Sequence, residues 1–172
     1  MLETVVYIVG FLFVSFCFVV FFGAPYVPTL KSGLADIFAM YDLTDQDVVV
    51  DIGSGDGVIL RALAAKNIRA VGYELNPWLY IISKLISRKD PRISVHLANF
   101  WHAELPSETT VVYAFLNGRY MRKLQAKLQA HVNRTQKPLH FMSYGFAMPG
   151  QKVIKTHGPM HLYKFTPLQT QA

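Results

Sequence analysis

The apolar positions fall into one long opening run, then short runs alternating with helical spacing. Val5 to Phe22 is eighteen residues without a charge. As a helix rising about 1.5 Å per residue it covers roughly 27 Å, against a hydrocarbon core of about 30 Å. A core-packed helix would carry a polar stripe, and this run has none. A signal peptide would carry a basic start and a small-residue cleavage site, but Glu3 is the only charge ahead of the run and Ala24-Pro25 follows it. The pattern predicts one transmembrane helix within an anchor of residues 1–23.

Residues 24–44 are expected to form a connector and a helix. Pro25 and Pro28 stiffen the connector. Leu34, Ile37, Phe38 and Tyr41 repeat at i, i+3, i+4, i+7 and predict a helix over Ser32–Tyr41. From residue 45 to 172 strands and helices alternate. Strands are predicted at Asp47–Ile52, Arg69–Glu74, Ile93–Leu97, Thr110–Leu116 and Leu139–Tyr144. Helices are predicted at Gly57–Lys66, from Asn76-Pro77 onward, and at Arg119–Val132. The middle one has Leu79, Ile82, Leu85 and Ile86 as apolar positions. Val153–Lys155 and His161–Phe165 predict a closing hairpin around Gly158-Pro159. The fold class expected is α/β, a Rossmann-like doubly wound and mainly parallel sheet with a C-terminal antiparallel hairpin, preceded by one transmembrane helix.

The chemistry sits at the ends of the first two strands. Val48–Gly57 reads Val-Val-Val-Asp-Ile-Gly-Ser-Gly-Asp-Gly, and Val71-Gly72-Tyr73-Glu74 follows. In doubly wound domains a nucleoside binds at these strand ends. Gly53, Gly55 and Gly57 let the backbone turn sharply and approach a ligand. An ionised Glu74 offers two acceptor oxygens for neighbouring ribose hydroxyls. A dinucleotide site wants G-x-G-x-x-G and a P-loop wants G-x-x-x-x-G-K-[ST]; this chain has neither. Asp51 and Asp56 would repel a pyrophosphate and suit a cationic ligand. S-adenosylmethionine carries both a sulfonium and an ammonium. The alternative for the loop is a tight turn without a ligand.

Charge and composition refine this. Hydrophobic residues make up 52% of the chain, with the excess at the N-terminus. All 17 Lys and Arg follow the apolar run, so the positive-inside rule places the catalytic domain on the cytoplasmic or matrix side of a bacterial or mitochondrial inner membrane. After Glu108 there is no acid, while nine Lys or Arg follow. A solvated face, anionic lipid and nucleic acid are the three readings of that basic half, and the expected span favours lipid. Cys17 is the single cysteine, which excludes an intrachain disulfide. The six histidines form neither H-x-x-H nor H-E-x-x-H, so no metal is expected.

Three segments together resemble a known family: Pro25-Tyr26-Val27-Pro28-Thr29, Asp51-Ile52-Gly53-Ser54-Gly55-Asp56-Gly57 and Gly72-Tyr73-Glu74-Leu75-Asn76-Pro77-Trp78-Leu79. The glycine loop is similar to that of class I S-adenosylmethionine-dependent methyltransferases at large. The Glu-Leu-Asn-Pro-Trp-Leu string is more specific. It resembles the membrane-anchored protein lysine methyltransferases that act on ATP synthase c subunit and the adenine nucleotide translocase. The resemblance runs from Pro25 to Gly150. It implies S-adenosylmethionine as cofactor, S-adenosylhomocysteine as product, and a membrane protein with an accessible lysine as substrate. It also implies that the segment with Tyr26, Pro28 and Thr29 closes over cofactor and lysine.

On this reading the cofactor-binding residues are Pro28, Thr29, Asp51, Gly53, Ser54, Gly55, Asp56, Gly57, Glu74, Leu75, Asn76, Asn99 and Phe100. The catalytic set is Tyr26, Asn99, Phe100, Trp101 and Tyr144. Asn99 stands where the resembled family often has an acid on the adenine amino group, and an Asn carbonyl can also accept there. Phe100 and Trp101 frame adenine or the incoming lysine, or pack in the core. Trp78 lines adenine or packs in the core. Ser143-Tyr144-Gly145-Phe146 resembles a family segment near the active site. Phe115-Leu116-Asn117 lacks the Asn-Pro-Pro-Tyr or Asp-Pro-Pro-Tyr motif of enzymes that methylate exocyclic amines of bases. A lipid or quinone headgroup methyltransferase and a non-catalytic cofactor-binding assembly factor are the rival readings.

Overall fold

In the computed structural model, the described residues are 2–7, 9–11 and 31–168. Helix α1 is Lys31–Met40, and β1 is Val48–Ile52. Then follow α2 (Val58–Ala64), β2 (Arg69–Glu74), α3 (Pro77–Ser87), β3 (Ile93–Leu97) and β4 (Val111–Ala114). A 3-10 turn at Gly118–Tyr120 leads into α4 (Met121–Thr135), then β5 (Leu139–Tyr144), β6 (Lys155–His157) and β7 (Met160–Phe165). The sheet order is β3-β2-β1-β4-β5-β7-β6. The first five strands in that order are parallel, while β7 runs antiparallel to both β5 and β6. The doubly wound expectation and the antiparallel closing hairpin both hold. The hairpin turns at Gly158, at φ 53°, as expected, and pairs His157 with Met160; its first strand begins two residues later than expected.

The sheet carries a core on each face. Alternation along β1 sends Val48, Val50 and Ile52 to one side, where Leu124, Leu128 and Val132 of α4 cover them. Val49 faces the other side, under Ile37 and Met40 of α1 and Ile59, Leu60 and Leu63 of α2. Every residue of β1 and β4 is buried, which is why β4 reads as an unbroken apolar run and β1 as one interrupted only by Asp51.

Helix α3 departs from ordinary amphipathic packing. Ser83 and Ser87 are its buried residues, while Leu85 and Ile86 are 57% and 58% exposed. Close approach is the cause. A Cβ built on Gly57 would stand 2.2 Å from Ser83 Oγ, so the inner face has room only for small side chains. Residues 83 and 87, one turn apart, meet that limit.

Among the described residues no helix is long and apolar enough to cross a membrane. Most of the run expected to span, residues 12–22 and position 8, lies outside the described residues; Leu2–Tyr7 and Val9–Phe11 are helical.

Close packing also fixes Gly72, in the middle of β2. A Cβ there would lie 2.5 Å from Ser54 Oγ and 2.6 Å from Leu60 Cδ1. Gly72→Ala is expected to destabilise the protein by about 1–3 kcal/mol, as overpacking generally does. Urea unfolding checks this, and an unchanged midpoint would contradict it.

Candidate functional site

The glycine loop is built by backbone geometry at the carboxyl end of β1. Gly53 and Gly57 hold φ of 78° and 81°, which residues with a Cβ adopt only under strain. Their surroundings differ. A Cβ on Gly53 would meet nothing, so this glycine faces open space, while Gly57 is pressed against Ser83. The Gly53 N–H donates to the Tyr73 carbonyl at 2.8 Å and the Gly57 N–H to the Ser54 carbonyl at 2.9 Å. Gly57 then caps α2.

Glu74 closes the loop from β2. Its Oε2 accepts the Gly55 N–H at 2.8 Å and its Oε1 accepts the Asn76 N–H at 2.7 Å. The carboxylate is 8% exposed, and each oxygen keeps a further acceptor position. Asn76 itself caps α3, its Oδ1 accepting from the Trp78 N–H at 2.9 Å. Leu75, between them, is exposed.

Asp51 is 2% exposed and accepts no hydrogen bond from the described residues. Burial, with the Glu74 carboxylate beside it, pushes its pKa up to about 8. Burial and then Asp51 also hold the Tyr113 phenol above the usual range. A buried acid without a partner is costly. A cationic group of a ligand would relieve that cost. Open space at Gly53, the further acceptor positions on Glu74 and the buried Asp51, without a partner among the described residues, therefore fit a nucleoside that carries positive charge.

The other expected site residues fall in varied places. Ser54 Oγ is buried without a partner against Gly72, so the hydroxyl faces the strand below rather than the open side of the loop. Asp56 turns to α2: its Oδ2 lies 3.4 Å from Arg61 Nη2 and its Oδ1 accepts from the Val58 N–H. Asn99 turns inward as well, its Oδ1 accepting the Trp101 N–H at 3.0 Å. Tyr26, Pro28 and Thr29 lie outside the described residues.

The aromatic set divides between the two faces of the sheet. Phe100 is a core residue on the α4 side, edge-on to Tyr73 and Trp101. Trp101 packs against that core, meets Tyr120 and takes Lys123 Nζ over its ring at 4.6 Å. Lys127 pins their loop to α4 by donating to the Ala103 carbonyl at 2.6 Å. Tyr144 packs with the core on the α1 side, the side of Tyr113. Core packing, the alternative weighed for Phe100, is therefore its placement, because residue 100 continues the apolar layer under α4. The aromatic partners of Tyr144 were missing from the expected set. Phe115, 40% exposed, sits edge-on to Tyr144 at 5.2 Å and stacks with Phe146 at 6.5 Å. Their sequence signal is an aromatic just past a strand end, beside Gly145, where a Cβ would stand 3.3 Å from the Phe115 ring. Among the described residues, no group of three or more His, Cys, Asp or Glu could hold a metal ion.

Comparison with known proteins places this geometry. The ANTKMT methyltransferase domain model matches residues 51–155. The ATP synthase c subunit lysine N-methyltransferase of Xenopus laevis is 33% identical over 111 residues, covering 63% of this chain and 48% of that protein. The chain thus spans about half the length of that relative. A protein-lysine N-methyltransferase of Saccharolobus islandicus is 32% identical over 110 residues, covering 61% of this chain and 68% of that protein. Among solved structures, an RNA methyltransferase from Salinibacter ruber in complex with S-adenosyl-L-homocysteine aligns with TM-score 0.71 at 25% identity, over 85% of this chain and 97% of that one. The seven-strand sheet is that of class I methyltransferases.

Asp51 gives a pH test of the site. Its folded pKa stands above the unfolded value, so the folded state binds more protons between about pH 4 and 8. Stability of the cofactor-free protein should fall as pH rises through that window. Asp51→Asn should melt above the native protein at pH 8, and the gap should shrink towards pH 5. Melting curves that stay parallel across this range would contradict the assignment.

Proposed function

We propose that this chain, which belongs to the ANTKMT methyltransferase domain family, transfers a methyl group from S-adenosylmethionine to a lysine of a protein embedded in a membrane. The observation that carries the cofactor reading is the acid-lined loop: Glu74 held by Gly55 and Asn76, with the buried Asp51 beside it. Support for lysine comes from the relatives named as lysine N-methyltransferases, one of them for the ATP synthase c subunit.

When bound, the cofactor supplies an electrophilic methyl group on a sulfonium. Glu74 would accept the two ribose hydroxyls on its remaining acceptor positions. Asp51, once ionised, would balance the positive charge through the loop. Gly53 keeps the backbone clear for close approach. The substrate amine must arrive without its proton, and an apolar wall lowers an amine's pKa by disfavouring its charged form. Phe115, Tyr144 and Phe146 at the ends of β4 and β5 form such a wall. Holding amine and methyl in line supplies much of the rate. The family resemblance adds Tyr26, Pro28 and Thr29, from the segment ahead of α1, as residues that would close over cofactor and lysine. Residues 45–172 form the methyltransferase domain in this account. An anchor over residues 1–23 raises the concentration of a substrate sharing the bilayer and leaves the domain on the cytoplasmic or matrix side.

The test incubates detergent-solubilised protein with methyl-labelled S-adenosylmethionine and membranes from cells lacking the enzyme. Label in one protein band, mapped to a lysine, is the expected result. Glu74→Ala removes two charge-assisted hydrogen bonds of about 1.5 kcal/mol or more each, so cofactor affinity should fall about 100-fold or more and labelling should disappear. Label in lipid instead would favour a headgroup enzyme, and label in RNA a nucleic-acid one. Cofactor binding without any transfer would favour a non-catalytic role.

A further inference from the structure

The outward face of α3 is a second surface without a task in the reaction. Trp78, Ile81, Ile82, Leu85 and Ile86 are all exposed, at helical spacings that gather them on one side. The packing constraint at Gly57 and Ser83 fixes this orientation, because the serines must face inward. A contiguous exposed apolar patch of this kind marks a contact surface.

We propose that this face of α3 docks on an anionic lipid bilayer as an interfacial helix. Three observations select that occupant over another protein. First, the flanks are basic: between Glu74 and Asp90 there is no acid, and Lys84, Arg88 and Lys89 make no ion pair among the described residues. An apolar stripe edged by cations, with a tryptophan at one end, is the pattern of helices lying in the headgroup boundary. Second, the patch continues into other exposed apolar surface. The Phe11 ring sits edge-on to Trp78 at 6.4 Å, and Val5, Val6, Tyr7 and Val9 of the same helical turns are exposed too. Third, a cleft of about 370 Å³ opens at the far end of α3, where Lys89 stands beside Ile86. Arg61 and Arg92 also line it but pair with Asp56 and Asp90, so Lys89 is the cation there without an ion pair among the described residues. The docking surface is independent of the methyl-transfer reading and concerns how the domain lies on a membrane. Trp78 is in the first turn of α3, two residues past the Asn76 that Glu74 holds, so docking would bring the glycine-loop end of the sheet beside the bilayer.

Full-length protein and its Trp78→Phe variant are bound to vesicles of phosphatidylcholine and phosphatidylglycerol at roughly seven to three, with or without brominated acyl chains. Bromine quenches only an indole that reaches the acyl boundary, and Trp101 is the other indole. Quenching should be at least about two-fold greater in the native protein than in the variant. The triple variant K84E/R88E/K89E should lose most of the excess. Equal quenching of native protein and variant, with both floating on the vesicles, would overturn the proposal by leaving attachment to other residues. So would failure to float. Unquenched Trp78 emission together with cross-linked dimers would assign the face to a second copy instead.

Discussion

Both oxygens of the Glu74 carboxylate accept a backbone N–H, one from Gly55 in the glycine loop and one from Asn76 at the start of α3. Hydrogen bonds to an ionised acceptor are about twice as strong as neutral ones. Here they join two segments that β1 and β2 deliver separately. The loop after β1 cannot lift away from β2 without releasing one bond, and α3 cannot swing without releasing the other. The same carboxylate therefore ties the glycine loop to the start of α3, and each of its oxygens keeps a further acceptor position. Its proximity also adds to burial in raising the pKa of Asp51, so that below about pH 8 Asp51 sits beside Glu74 largely protonated.

A second constraint is steric and runs underneath the first. Gly57 meets Ser83, and Gly72 meets Ser54 and Leu60, at distances that leave no room for another carbon. These contacts bring α3 and the glycine loop down onto the sheet. Their consequence reaches the surface: with serines on the inside of α3, its large apolar side chains have only the outside to occupy. The helix that starts at Asn76, beside the glycine loop, is thus the one that presents the exposed apolar face.

Most of the sheet was legible in the sequence, because buried parallel strands such as Val48–Ile52 read as short, largely β-branched runs bounded by turn residues. Glu74 was legible too, as an acid at the end of a strand. The orientation of α3 was not, since its apolar spacing fits either side and only the three-dimensional contact at Ser83 decides. Phe100 and Trp101 read equally as site or core. Which face of the sheet a loop aromatic reaches depends on the Asn99 turn and on the Lys127 contact from a distant helix. Phe115 and Phe146 lie in segments the sequence singles out but stayed out of the expected catalytic set, because their partnership with Tyr144 exists only once β4 and β5 lie side by side.

The account stands or falls on how Glu74 meets the nucleoside. A crystal structure of the protein with S-adenosylhomocysteine is the most direct measurement. The account predicts both ribose hydroxyls within about 2.5–2.7 Å of the Glu74 oxygens, with the Gly55 and Asn76 bonds intact. A ribose bound elsewhere, or a Glu74 carboxylate turned away to admit it, would contradict the account.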